Sequence, residues 1–254
     1  MRSSVWPIVV LIGDSSQSLS AQRPLSPSSS WIAYLPSDTV ENYLKAIYEL
    51  AQADSRGEAA VGEVAKTLGV TPGSVSSMLK RLHQQRLAKY ERYGGVQLTA
   101  KGKQTAAAVL RRHGIIETFL VRVLKIDWAE VHEEAERLEH AISDRVLEKL
   151  DAFLGHPAFD PHGEAIPDAQ GNLRTRREEP LARCTAGQER TVSRVYEPDG
   201  ALLRLLETHG LVPGAAVNIE SVDATTGVVV VGVRGKELLQ LSLEKANRVF
   251  VAAG

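Results

Sequence analysis

Histidine and carboxylate side chains recur at helical spacing in two neighbouring segments between residues 113 and 140. His113 and Glu117 lie four residues apart, so a helix would place them on one face. A second stripe, at spacings of three and four, comprises His132, Glu136, Glu139 and His140. Imidazole and carboxylate groups suit first-row divalent ions such as manganese and iron. Two such stripes predict a metal centre rather than an exposed acidic helix with incidental histidines.

The segment 63–82 has the layout of a helix-turn-helix. A short helix ends at Gly69, and Thr71-Pro72 open a second helix that starts with small polar residues. Such a helix fits the major groove, where hydroxyl and amino groups reach base edges and phosphates. The side chains placed for this role are Ser74, Ser76, Ser77 and Lys80, with Arg92 and Tyr93 on a following hairpin that acts as a wing. The sequence therefore predicts binding to double-stranded DNA.

Charge is distributed unevenly, although the net charge of the 254-residue chain is only −1. Between residues 72 and 112 cations far outnumber a single anion, Glu91, whereas between residues 113 and 160 anions outnumber cations. A basic block beside an acidic block indicates one anion-seeking module and one cation-seeking module.

Hydrophobic periodicity predicts the elements that must position these residues. Helical spacing indicates helices over Thr39–Leu50, from Thr99 to about Leu124, and over Trp128–Phe153. Gly187–Ala253 instead carries alternating runs separated by glycines, which predicts a small β-barrel. The expected fold class is α+β, mainly α, with a winged helix-turn-helix first, a helical domain second and the barrel last.

With these features, the sequence resembles the diphtheria toxin repressor family of metalloregulators, including its manganese-sensing branch. The matching motifs are Asp38–Leu50, Leu98–Gly102, Arg112-His113, Val131–His140 and the Pro161-His162-Gly163…Ile166-Pro167 loop. The last domain, with Leu206–Gly214, looks like the SH3-like third domain of the longer members. The resemblance implies a homodimeric, metal-dependent regulator that binds a palindromic DNA operator and represses metal-uptake genes.

The resemblance also implies two metal sites per subunit. Its primary regulatory site corresponds to Asn42, Glu136, Glu139 and His140, and its ancillary site to His113, Glu117, His132 and, from the third domain, Glu197. Iron-type members carry a cysteine at the position of Glu136, whereas manganese-type members carry a glutamate. The expected cofactor is therefore Mn(II), with Fe(II) as the alternative, because a carboxylate is a harder ligand than a thiolate.

Three positions depart from the family's pattern. Asn42 stands where the family has a Met or Asp ligand, although Glu41 or Asp38 could supply the missing charge. Lys45 stands where short manganese sensors have a glutamate, and Arg194 occupies a second position that would complete the ancillary site.

Three other residues have side chains that can bind metals. Cys184 is the single cysteine, so there is no disulfide framework, and we interpret it as a packed residue. His156 and His162 flank the proline-rich loop, and we interpret them as turn residues rather than ligands.

The expected domains follow from these patterns. Residues 1–36 lack a periodic apolar face and are predicted to be a disordered or misassigned extension; their apolar run is shorter than the roughly 20 residues of a membrane span. The other boundaries are 37–108 for the DNA-binding domain, 109–168 for the dimerisation and metal-binding domain, 169–186 for a linker, and 187–254 for the SH3-like domain. We expect a cytoplasmic protein without a membrane partner.

Two other function classes compete with this interpretation. A metalloenzyme could use the same ligands for hydrolysis, but it would need an open coordination position and a general base, and no further catalytic motif is present. A winged-helix regulator gated by an organic ligand would leave the acidic helices purely structural. We therefore expect a regulator and not an enzyme.

Overall fold

The amino-terminal part of the structure is a winged helix-turn-helix. The structure, a computed structural model, describes residues 37–90, 94–196 and 200–252. The elements of this part are α1 (Asp38–Ala53), α2 (Val61–Thr67), α3 (Pro72–Gln84) and the antiparallel hairpin of β1 (Ala88–Tyr90) and β2 (Val96–Leu98).

Helix α3 begins where the sequence predicts it. Thr71 caps the helix because its side chain accepts a hydrogen bond from the Ser74 N–H group, and Pro72 occupies the first turn, where its missing donor costs nothing. Val75, Leu79 and Leu82 form a buried face in the same core as α1. The opposite face of α3 is therefore left free for solvent or DNA.

The second part consists of helices α4 (Ala100–Arg122), α5 (Val131–Glu139) and α6 (Asp144–Phe153). The expectation of one helix over Trp128–Phe153 is wrong, because residues 140–143 separate α5 from α6. Ser143 has an extended backbone and accepts a hydrogen bond from the Val146 N–H group, which starts a new helix. Among the described helices, none is long and apolar enough to cross a membrane.

The third part is a six-stranded antiparallel sheet with two helices. Its elements are β3 (Glu178–Pro180), β4 (Glu189–Val195), α7 (Gly200–Thr208), β5 (Ala216–Asp223), β6 (Val228–Gly232), β7 (Leu239–Ser242), α8 (Leu243–Ala246) and β8 (Val249–Ala252), with strand order β3-β8-β4-β5-β6-β7. Helix α7, which buries three leucines in the sheet's core, was not predicted from the sequence. The architecture confirms the expected α+β, mainly helical class.

The second and third parts are joined at the proline loop, residues 156–167. The Val195 N–H group donates a 2.9 Å hydrogen bond to the His162 carbonyl. A Cβ atom on Gly163 would lie 2.1 Å from the Ser193 carbonyl oxygen, so the close approach requires glycine. Trp128, which precedes α5, belongs to the third domain's core. These contacts hold the proline loop against the third domain.

Candidate metal centre and nucleic-acid interface

Helices α4 and α5 bring together the three helical residues expected at the ancillary site. His113 Nε2 lies 2.9 Å from Glu117 Oε1 and 3.1 Å from His132 Nδ1, and Glu117 Oε1 lies 3.2 Å from His132 Nδ1. Their ligand atoms all fall within 4.8 Å of one another. His113 and Glu117 are buried, whereas His132 is exposed. We call these three residues the helix cluster; it is open to solvent on one side.

The proline loop adds two ligand-type residues to the other side of Glu117. His162 Nδ1 lies 3.4 Å from Glu117 Oε2, while His162 Nε2 donates a 2.7 Å hydrogen bond to the Trp128 carbonyl. That bond leaves Nδ1 of the neutral imidazole with a lone pair facing Glu117, the arrangement found in metal-binding histidines. Glu117, Asp160 and His162 form the loop cluster, whose ligand atoms also lie within 4.8 Å.

The pKa values of the loop cluster reflect closely packed negative charge. Burial, followed by repulsion from Glu117 and Glu164, raises the pKa of Asp160 to about 8. Burial opposes charge on His162, but the hydrogen bond and charge of Glu117 outweigh it and raise the His162 pKa to about 9. Asp160 and His162 thus retain protons where, among the described residues, no lysine or arginine forms an ion pair with Asp160; a divalent ion would supply that positive charge.

The residues expected at the primary site fall into two groups. Asn42 Oδ1 and Glu139 Oε1 lie 2.9 and 3.4 Å from His140 Nε2, and these three residues form the α1 cluster. Glu139 Oε1 is buried and makes no hydrogen bond among the described residues, so it lacks the partner that a buried carboxylate needs. Such an orphaned oxygen beside an imidazole and an amide oxygen fits a metal ion.

Glu41 orients the imidazole of the α1 cluster. Its Oε2 atom accepts a 2.8 Å hydrogen bond from His140 Nδ1, and Arg112 Nη1 lies 3.2 Å from the same oxygen. A carboxylate on one ring nitrogen leaves the other nitrogen, Nε2, available as a ligand. Glu41 therefore contacts the Nδ1 atom of His140 and orients the ring, whereas Asn42 contacts the Nε2 atom that could bind a metal.

Glu136 is turned towards Lys45 instead of His140. Lys45 Nζ donates a 2.7 Å hydrogen bond to Glu136 Oε1, lies 3.5 Å from Glu139 Oε2, and lies 3.1 Å from His113 Nδ1. We call these four residues the lysine cluster. Burial opposes the ionised form of Glu136, but the charge and hydrogen bond of Lys45 outweigh it and lower the pKa of Glu136.

Of the two third-domain positions considered for the ancillary site, the structure describes only Arg194. Glu197, expected to complete the ancillary site, lies outside the described residues. The Arg194 guanidinium forms ion pairs instead, at 2.8 Å from Glu178 and 3.4 Å from Glu164. A cavity of about 700 Å³ opens between the domains and is lined by residues of the metal-type clusters and by Tyr196.

The predicted DNA-reading residues lie on the outer face of α3. Ser74, Ser77 and Lys80 are exposed and Ser76 is partly buried, whereas Arg92 and Tyr93 lie outside the described residues. Ser77 Oγ donates a 3.0 Å hydrogen bond to the Gly73 carbonyl, so its hydroxyl already has a partner on the helix.

Apolar side chains are exposed on the second domain. They lie at the end of α4, on α5 and on α6, and they are Val123, Leu124, Leu138, Val146 and Phe153. Phe153 is 68% exposed, which is unusual for so large an apolar side chain. Exposed apolar residues on neighbouring helices are typical of a surface that another protein chain covers.

Asp160 and His162 are the ligand-type residues that sequence reasoning missed. His162 was interpreted as a turn residue and Asp160 was not considered, yet both side chains contact or approach Glu117. The available signal was the Asp-Pro-His-Gly sequence itself, where two potential ligands flank a proline. Helical periodicity cannot detect such a pair, because the loop has no regular spacing.

Family models match most of the described chain. The models match as follows: "Iron dependent repressor, N-terminal DNA binding domain" over residues 37–96, "Iron dependent repressor, metal binding and dimerisation domain" over 99–168, and "FeoA domain" over 179–253. Each model thus corresponds to one of the three parts of the fold.

Individual proteins agree with these matches. "Iron-dependent repressor IdeR" of Mycobacterium leprae is 31% identical over 226 residues, which cover 84% of this chain and 96% of that protein. "HTH-type transcriptional regulator MntR" of Listeria monocytogenes is 33% identical over 127 residues, covering 48% of this chain and 87% of that protein.

Solved structures share the fold over most of the chain. One named "Manganese-dependent transcriptional repressor complex with manganese" is 34% identical with a TM-score of 0.78, covering 85% of this chain and 100% of that chain. "Crystal Structure of ScaR with bound Cd2+" is 31% identical with a TM-score of 0.72, covering 85% of this chain and 99% of that chain.

Proposed function

The chain belongs to the iron-dependent repressor family, and from this premise we propose that it is a homodimeric repressor whose DNA binding requires Mn(II) or Fe(II). The observation that carries the proposal is the α1 cluster. Asn42 comes from α1 of the DNA-binding domain, whereas Glu139 and His140 come from the end of α5. A metal ion held by these residues would connect the two domains.

We propose that the primary metal is held by Asn42, Glu139 and His140. The orphaned Oε1 atom of Glu139 and the Glu41-oriented imidazole support this assignment. Glu136, expected from the resemblance as a fourth ligand, would first have to leave Lys45. When bound, a divalent cation supplies the positive charge that draws an amide oxygen, a carboxylate and an imidazole together.

We propose that the ancillary metal is held around Glu117. The two oxygens of this carboxylate face different partners, with His113 and His132 on one side and the loop cluster on the other. Glu197 remains a candidate ligand from the third domain. Because the Val195 N–H group is hydrogen-bonded to the proline loop, ligands on this loop would link metal binding to the position of the third domain.

The chain's own residues explain how a metal would control DNA binding. Fixing α1 against α5 fixes the orientation of α3 relative to the dimerisation helices, and thereby the distance between the two α3 helices of a dimer. Two recognition helices meet successive major grooves of a palindrome only at a spacing of roughly 34 Å. The metal-bound conformation is therefore selected rather than chemically produced. The exposed apolar side chains of α4, α5 and α6 provide the surface for the second subunit.

The donor set favours manganese or iron over softer ions. Every candidate ligand is an oxygen or an imidazole nitrogen, and the only cysteine, Cys184, is buried in the third domain's core. Hard oxygen ligands suit Mn(II), whereas thiolates favour later metals. We further propose that the protein is cytoplasmic and that its metals serve regulation and not catalysis.

DNA selection with and without metal tests this function. The full chain, freed of metal by a chelator and dialysis, is mixed with genomic DNA fragments in buffer alone, with MnCl₂ or with FeCl₂ under anaerobic conditions. We expect enrichment of palindromic fragments only with metal. Enrichment that is equal without metal would contradict the proposal, and turnover of a hydrolysable substrate without selected DNA would favour the metalloenzyme.

A further inference from the structure

We propose that the Lys45 ammonium permanently occupies the cation position of the lysine cluster, so that no metal ion binds there. The inference rests on the proposed function, because it concerns where the regulatory metal can bind. Three groups around Lys45, namely His113, Glu136 and Glu139, could by themselves hold a metal, since their ligand atoms lie within 4.8 Å of one another. The ammonium already lies among them.

The distances leave no room for a second cation. Lys45 Nζ is 2.7 Å from Glu136 Oε1, 3.1 Å from His113 Nδ1 and 3.5 Å from Glu139 Oε2. A first-row metal needs bonds of roughly 2.0–2.2 Å to the same atoms, so it would occupy the volume of the ammonium. One of the two cations must therefore be absent.

Burial favours the ammonium as the permanent occupant. The Lys45 side chain is 9% exposed and the Glu139 side chain is 0% exposed, so this ion pair is shielded from water, whereas the Glu136 side chain is 36% exposed. Removing one partner of a buried pair leaves the other charge uncompensated, which is strongly unfavourable. A metal that displaced Lys45 would have to move its positive charge into an environment with fewer acceptors.

This arrangement changes what the metal controls. Lys45 comes from α1, and the carboxylates that accept its hydrogen bonds come from α5, so the lysine cluster connects the DNA-binding and dimerisation domains without metal. It also keeps the Glu136 carboxylate away from the α1 cluster. One of the cations that connect the two domains is thus the ammonium group of a lysine side chain, and the remaining cation positions are left to metal ions.

Metal stoichiometry in Lys45 variants tests the inference. Mn(II) bound per subunit is measured by equilibrium dialysis and metal analysis on the full chain and on K45E, K45M and K45R. K45M removes the ammonium and K45E adds a carboxylate ligand, so we expect each to bind one additional Mn(II) per subunit, more tightly in K45E. K45R retains a cation and should match the parent, as should K245E, which makes the charge change of K45E on the exposed α8.

A second measurement uses the parent chain and does not depend on the folding of a variant. Reductive methylation followed by mass spectrometry reports how accessible the Lys45 amine is. We expect Lys45 to be equally protected with and without saturating Mn(II). Increased methylation of Lys45 with Mn(II), or equal stoichiometry in the parent, K45M and K45E when all three fold, would overturn the inference. A parent chain that binds no Mn(II) would instead contradict the proposed function.

Discussion

The lysine cluster and the loop cluster place carboxylates and imidazoles at similar distances, but of the two only the lysine cluster contains an ammonium group. Lys45 lies 2.7 Å from Glu136 and lowers the pKa of that carboxyl group, although burial opposes this effect. In the loop cluster no ammonium or guanidinium group of a described residue forms an ion pair with Asp160, and burial with neighbouring carboxylates raises its pKa to about 8. Similar ligand geometry therefore does not imply similar affinity for a metal. The unbalanced cluster is the one expected to take up a divalent ion.

Glu117→Gln is expected to have the largest effect. Glu117 belongs to both the helix cluster and the loop cluster, so its loss removes a charged ligand from each. Because changes in residues that merely support ligands cost 10–100-fold in affinity, loss of this ligand should weaken ancillary Mn(II) binding by at least about 100-fold. Isothermal titration calorimetry measures the change, with Glu148→Gln on the exposed side of α6 as the control. Parent-like binding would mean that Glu117 is structural.

His162→Ala distinguishes a ligand from a turn residue. If His162 Nδ1 binds metal, the variant should lose roughly 10–100-fold in ancillary Mn(II) affinity. His156→Ala is the matched control, because His156 lies in the same loop but pairs with Asp151 outside the clusters. Equal affinities for both variants would restore the interpretation of His162 as a turn residue and remove the loop cluster from the account.

Glu136→Gln and Glu139→Gln compare a carboxylate that forms an ion pair with Lys45 and a carboxylate with one oxygen that has no hydrogen-bond partner among the described residues. Glu136 already has the Lys45 ammonium as its partner, so we expect its change to lower Mn(II) activation of DNA binding by less than about tenfold, a cost of less than about 1.4 kcal/mol. Glu139 carries the unpartnered oxygen of the α1 cluster, so Glu139→Gln should lower Mn(II) activation of DNA binding by more than Glu136→Gln does. The midpoint of Mn(II) activation for each variant decides the matter; the reverse ranking would make Glu136 the principal ligand.

The pH dependence of stability offers a smaller effect with a defined sign. The folded-state pKa values of His113 and His162 are raised from 6.5 to about 9, and that of Asp160 from 3.8 to about 8, so the folded metal-free chain binds more protons than the unfolded chain. The stabilisation is fully present below the unfolded pKa values and is lost as the pH rises towards 9. The Tm of the metal-free chain should therefore fall above pH 6.5.

Metal should reverse that trend, because Mn(II) displaces the retained protons. The rise in Tm on adding Mn(II) should grow between pH 6.5 and 8 in the parent. In Glu117→Gln the rise should be smaller and flatter. A Tm increase that does not vary with pH in the parent would mean that these groups do not exchange protons for metal.

Sequence patterns predicted the helical part of the site more completely than its loop. The four-residue spacing of His113 and Glu117 correctly placed both side chains on one face of α4, and Thr71-Pro72 correctly marked the start of α3. Regular spacing determines direction in a helix, but the side chain of Asp160 is held by N–H groups of its own irregular loop. The direction of His162 depends on the Trp128 carbonyl, 34 residues away.

The sequence also did not show which of two neighbouring groups a side chain would contact. The spacing that placed Glu136 and His140 on one stripe is compatible with a side chain turned to either neighbour, and the Lys45 ammonium decides the direction of Glu136. The break between α5 and α6 was missed because apolar periodicity continues across it, whereas the capping of Ser143 operates over only three residues. Both the direction of Glu136 and the helix break depend on interactions that a single helical stripe does not encode.

The positions of bound manganese test the central comparison most directly. Crystals of the full chain grown with MnCl₂ are measured near the manganese absorption edge, where anomalous difference density identifies the metal. We predict density beside Glu139 Oε1 and His140 in the α1 cluster and beside Glu117, with the Lys45 amine still among His113, Glu136 and Glu139. Manganese density within the lysine cluster, with Lys45 displaced, would contradict the account.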